Sequence, residues 1–199
     1  MMTKDQCMEL LLKHYQEVDN EYKETGMFSN ECQFRIDHSY RVYEISKEII
    51  SKNKDLFKDD KLNEEFLNAC ILHDIYKLDK KDHHSEYAGI LALKLKFSNE
   101  IVIALSLHSA IKDYDLGYKD LHKSSNSLLY LALINDSDIV SHFIVDSLVK
   151  KNDNIKELIE YMNKLLNVIE SKTLYFAESR KILNENISKM HHFINSYSC

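Results

Sequence analysis

At 199 residues the chain is long enough to bury a sizeable core, and its 44% hydrophobic and 29% charged content is that of an ordinary globular protein. It has no proline and only three glycines, which excludes a turn-rich β-sandwich and favours an all-α fold. Its formal net charge of -6 lacks the positive footprint that broad nucleic-acid binding requires.

The N-terminal segment MMTKDQCMELLLKHYQEV has charges on both sides of a short apolar run. It lacks the apolar stretch and small-residue cleavage site of a secretory signal. The longest apolar run, LLYLALI at 128–134, is too short to span a bilayer. Cys7, Cys32, Cys70 and Cys199 form no C-x-x-C pair, as expected in a reducing compartment. Together these features predict a cytoplasmic protein of one domain over residues 1–199, without a membrane partner.

Apolar residues recur at spacings of three and four throughout. The first predicted helix covers about 3–23, with Met8, Leu11, Leu12, Tyr15 and Val18 inward. Gly26 and Ser29-Asn30 mark a break. A second helix follows at about 32–52 (Val42, Ile45 and Ile49 inward), then a polar loop from Lys52 to Lys61. The third, about 62–77, carries Phe66, Leu67, Cys70 and Ile71 and ends in the pair His73-Asp74. Leu78 to His83 reads as a loop. Helices are predicted over 84–96 and 99–112, a surface loop over 112–127, and a strongly apolar helix over 127–149. A polar join at 150–154 leads to amphipathic helices over 155–171 and 173–195.

Several titratable residues fall on the apolar faces of these helices. His38 shares a stripe with Val42, Ile45 and Ile49; His84 with Tyr87, Ala88, Leu91 and Leu95; His108 with Ile101, Ala104, Leu105 and Ile111. Asp138 follows Leu131 and Ile134 and precedes Val145. Asp136, with Leu129, Ala132, Leu133, Val140 and Phe143, fits as well, and periodicity does not choose between the two. His83 competes with His84, although its stripe meets Lys94. A lone histidine on an apolar face is ordinarily a hydrogen-bonded core residue. Several such histidines converging with a buried His-Asp pair are costly unless a cation compensates them.

These residues, between about Arg35 and Phe143, resemble the HD-domain metal-dependent phosphohydrolases. The family pattern is a histidine, a His-Asp pair and a distant aspartate, matched by His38 in RIDHSYRV, His73-Asp74 in ILHDIYK and Asp138 in INDSDIVS. The resemblance selects Asp138 over Asp136. Two further histidines of the two-metal members, which include the bacterial symmetrical diadenosine-tetraphosphate hydrolases, are matched by His84 and His108. Those hydrolases carry an arginine shortly after the last aspartate, where this chain reads VSHF.

The resemblance implies an HD helical bundle at about 32–145, flanked by an N-terminal helix at about 3–23 and C-terminal helices at about 155–195. It implies one or two divalent ions, of iron, manganese, cobalt or nickel, with magnesium an alternative. Asp74 would bridge them, with His38, His73 and Asp138 on one side and His84 and His108 on the other. Asp74 and Lys77 are the candidate catalytic residues, and Lys77 and Arg35 the candidate contacts to a phosphate. The expected activity is hydrolysis of a small nucleotide or related phosphate compound through a metal-activated water. The alternatives are a di-iron oxygenase with the same ligands and a non-catalytic nucleotide-sensing module. The amphipathic C-terminal helices could also form a homodimer face.

Overall fold

The computed structural model describes residues 2–25, 30–110, 121–151 and 154–197. Every extended regular element among them is an α-helix: α1 (Lys4–Thr25), α2 (Asn30–Lys52), α3 (Asp60–Cys70), α4 (His84–Lys94), α5 (Asn99–Leu107), α6 (Asn126–Ser141), α7 (Val145–Lys151), α8 (Ile155–Ile169) and α9 (Ala177–Tyr197). The fold is all-α. No helix among the described residues is long and apolar enough to cross a membrane. Gly26 and Ser29 of the expected break, residues 112–120 of the expected loop and Cys199 lie outside the described residues.

A chain without proline starts its helices with polar side chains. Asp59 Oδ1 accepts from Leu62 N–H at 3.0 Å to open α3, and Asn154 Oδ1 from Lys156 N–H at 3.1 Å to open α8. Ser125 does the same for α6. α4 ends with Lys96 N–H on the Leu93 carbonyl and Phe97 N–H on the Ala92 carbonyl, with Lys96 left-handed at φ 62°. This is the Schellman pattern at a position that glycine usually fills. Lys96→Gly is expected to raise stability by about 1 kcal/mol, read from urea unfolding, because it relieves the side-chain clash of the left-handed conformation.

α6 is the central helix, with every residue from Leu129 to Ser137 buried. It packs on α2 and α5, α4 lies against α5, α1 and α3 flank α2, and α9 covers α6 and α2. One apolar cluster runs from Cys7 and Leu11 of α1 through Phe66 of α3 to Met190 of α9. Leu12, expected inward, is 47% exposed. Cys7, Cys32 and Cys70 are buried thiols, and burial pushes Cys7 up to about 12.

Four helix boundaries differ from expectation, and at two of them a side chain captures the backbone. The predicted helix 62–77 stops at Cys70 and continues as turns closed three residues back: Leu72 on Ala69, His73 on Cys70, Ile75 on Leu72 and Lys77 on Asp74. The predicted helix 99–112 stops at Leu107. The predicted helix 127–149 breaks after Ser141. There the His142 and Phe143 N–H groups bond three residues back, and Asn186 takes the Val145 N–H at 3.3 Å. The last helix starts at Ala177 rather than 173, because the Asp136 carboxylate holds the N–H groups of Tyr175 and Phe176.

α4 and α5 approach closely at Gly89. A β-carbon there would lie 1.8 Å from Ser106 Oγ and 3.1 Å from Ser106 Cα. Gly89→Ala gains helix propensity of about 1 kcal/mol but forces the helices apart, so a net destabilisation of about 2 kcal/mol is expected in urea unfolding.

Candidate metal centre

His73 and Asp74 lie on the turns that follow α3, and both are in the interior. His73 is fully buried and Asp74 3% exposed. α1 secures this segment, since the buried Tyr15 hydroxyl donates to the Asp74 carbonyl at 2.7 Å. α2 supplies His38 and Arg35, the first residue of α4 is His84, His108 caps α5, and α6 supplies Asp138.

Two groups of ligand atoms result, each lying within 4.8 Å of one another. His38, His73, Asp74 and Asp138 form the first; Asp74, His84 and His108 form the second. Asp74 belongs to both. Its Oδ1 lies 3.2 Å from His84 Nε2 and 3.4 Å from His108 Nε2, while its Oδ2 lies 3.7 Å from His38 Nε2. On the other side, Asp138 Oδ1 lies 3.0 Å from His38 Nε2 and 3.8 Å from His73 Nε2.

The tautomers follow from the partners of Nδ1. In His73, His84 and His108 this atom lies 2.8 Å from the carbonyl three residues earlier, of Cys70, Lys81 and Leu105. A carbonyl only accepts, so Nδ1 carries the proton. His38 Nδ1 lies 2.9 Å from Ser141 Oγ, whose own hydrogen goes to the Asp138 carbonyl at 2.8 Å. Ser141 therefore accepts, and His38 also carries its proton on Nδ1. In the neutral rings all four Nε2 lone pairs point into the centre, the arrangement that orients imidazoles for ligation.

Lone pairs turned on carboxylates, and on each other, repel unless a proton or a cation lies between them. His38 Nε2 and His73 Nε2 are 3.3 Å apart. Asp138 Oδ1 is buried yet accepts no hydrogen bond. Burial lowers His38 to about 4, against the pull of Asp138. For His73 burial acts in the same direction, but Asp74 and Asp138 outweigh it and raise its pKa. Burial alone would raise both aspartates. When they present a proton instead of a lone pair, the facing imidazoles, His73, His108 and His84 for Asp74 and His142, His38 and His73 for Asp138, hold each well below the usual carboxylate range. Nitrogen and oxygen donors around a deficit of positive charge suit a transition-metal ion. The cluster could hold one; nothing in it selects among iron, manganese, cobalt and nickel.

The two ambiguous pairs separate cleanly. Asp136 is buried on another face of α6, where its carboxylate accepts from Tyr175 N–H at 2.9 Å and Phe176 N–H at 2.9 Å ahead of α9. Burial raises its pKa to about 6. It docks α9 and takes no part in the centre. His83 is exposed and pairs with Glu86 at 3.3 Å, whereas His84 is buried.

The two cationic candidates are both engaged. Arg35 Nη1 lies 3.5 Å from Asp74 Oδ2, and its other nitrogens bond Glu31 at 3.0 and 3.1 Å. Lys77 Nζ lies 3.0 Å from His84 Nε2. His142 stacks on His38 with centroids 4.7 Å apart and approaches Asp138 Oδ1 at 3.5 Å. The side chains of Asp138 and His142 are 30% and 32% exposed, so the centre meets solvent on this side.

Sequence reasoning missed Tyr15 and Ser141. A tyrosine on an apolar stripe is indistinguishable from core, and only the i+3 spacing of Ser141 from Asp138 hints at a link. His14 is packed edge-on against Tyr15 and Tyr76 and lies 3.4 Å from Asp79. Comparison with known protein families, with curated proteins and with solved structures finds no match to this chain.

Proposed function

We propose that the chain is a metal-dependent phosphohydrolase of the HD type, acting on a small nucleotide or related phosphate compound. The observation that carries this reading is the pair of ligand sets sharing Asp74, with four imidazole lone pairs turned inward. The order of His38, His73-Asp74, His84, His108 and Asp138 along the chain is that of the two-metal members the sequence resembles.

Bound divalent ions would supply Lewis acidity, polarising a phosphoryl oxygen and acidifying a water molecule. His38, His73, Asp74 and Asp138 would hold one, and Asp74, His84 and His108 the other. Only two carboxylates oppose two such charges, so the loaded centre would carry a positive excess and favour an anionic substrate. Arg35, its charge balanced by Glu31, places a guanidinium beside Asp74, held there by Glu31 and Asp74 as partners. His142 and Asp138, on the exposed side, are where a phosphate would approach. Phe34, with the Arg35 and Arg41 guanidiniums 5.4 and 5.5 Å from its ring, offers an aromatic surface beside that cation.

The test loads the protein with manganese, iron, cobalt or nickel. It then measures phosphate release from mononucleotides, dinucleotides, cyclic nucleotides and sugar phosphates. Metal-dependent turnover of one class supports the reading. Absence of bound transition metal in elemental analysis, with no metal-stimulated hydrolysis, overturns it. A mixed-valence di-iron signal with oxygen uptake would assign an oxygenase instead.

A further inference from the structure

In the second ligand set one imidazole is already engaged by a cation. His84 has its Nδ1 proton committed to the Lys81 carbonyl, so Nε2 offers a single lone pair, and the Lys77 ammonium already donates to it at 3.0 Å. That same Nε2 is one of the three ligand atoms of the second set, 3.2 Å from Asp74 Oδ1. In the first set the nearest guanidinium, that of Arg35, reaches Asp74 Oδ2 rather than an imidazole.

We propose that Lys77 and a second divalent ion are mutually exclusive partners of His84 Nε2, so that the centre loads in order, the first set before the second. One lone pair cannot serve both a hydrogen and a metal. The Lys77 backbone is fixed by its N–H on the Asp74 carbonyl at 2.8 Å, so the exchange is a swing of the flexible side chain alone. Once displaced, the ammonium is tethered beside the centre and free to contact an anion there. Lys77 thereby makes its availability to a phosphate conditional on the second ion. This inference rests on the metal-centre reading and deepens it.

The experiment titrates the metal-free full chain with Mn²⁺, read by calorimetry and by the electron paramagnetic resonance of bound ion. The wild type should show a tight class and a weaker one. Lys77→Met, which keeps the length and removes the donor, should tighten the weaker class by about tenfold or more and leave the tight class unchanged. Lys77→Ala should do the same. In Lys77→Met combined with His84→Ala the second class should vanish. A second class unchanged or weakened in both single variants overturns the proposal, as does tightening that survives the double substitution. A tight first class with no response to Lys77 would defeat this inference alone. No tight class in the wild type would defeat the metal-centre reading itself.

Discussion

Asp74→Asn is expected to abolish binding in both ligand sets at once, reducing bound transition metal in elemental analysis to background. Each set includes Asp74, whose Oδ1 lies nearest His84 and His108 and also 3.9 Å from His73 Nε2, while Oδ2 lies 3.7 Å from His38 Nε2. An amide keeps the shape but loses the charge. Metal-dependent hydrolysis should fall by about 10³-fold or more, some 4 kcal/mol of barrier at roughly 1.4 kcal/mol per tenfold. The fold should survive, because Arg35 retains its two bonds to Glu31 and Tyr15 bonds the main chain of residue 74 rather than its side chain. His84→Ala should remove only the weaker class of ion. If Asp74→Asn retained one full equivalent of tight ion, Asp74 would not be shared.

The two aspartates of α6 should dissociate stability from metal binding. Asp136→Ala strips the acceptors from Tyr175 N–H and Phe176 N–H. One buried and one half-buried donor left unsatisfied next to the start of α9 are expected to cost about 2 kcal/mol in urea unfolding. Bound ion per folded chain should be unchanged. Asp138→Asn should reverse the pattern, with loss of the first ion and a smaller change in stability. Loss of metal from folded Asp136→Ala, or full metal in Asp138→Asn, would exchange their assignments.

These two residues also mark the limit of what the sequence discloses. A hydrophobic stripe carries information only when the rest of the helix faces water. It did so for His38 on α2, where exposed Gln33, Tyr40 and Glu44 contrast with buried Val42 and Ile49, and for His84 against the exposed His83. α6 is buried on every side from Leu129 to Ser137, so positions two apart, about 200° around the helix, look equally internal. In the sequence, only the resemblance to the HD pattern chose between them. The turn at His73-Asp74 was hidden for a related reason. Three-residue bonding places Phe66, Ala69, Leu72 and Ile75 inside much as a helix would, so the apolar pattern continues across a change of backbone. Supports such as Tyr15 and Ser141 act across 59 and 103 positions of sequence, and no local pattern could pair them.

That separation also sets an order of assembly. His38 is made early and its support, Ser141, emerges from the ribosome 103 residues later. Until α6 has been synthesised and docked on α2, the nascent chain presents at most a fragment of the ligand shell. Contacts so distant in sequence form after the local helices do, because chain closure must precede any reward from them. A metal that this cluster holds would thus be captured near the end of folding, and an interrupted chain ending before Asp138 would expose imidazoles without the second carboxylate of the cluster.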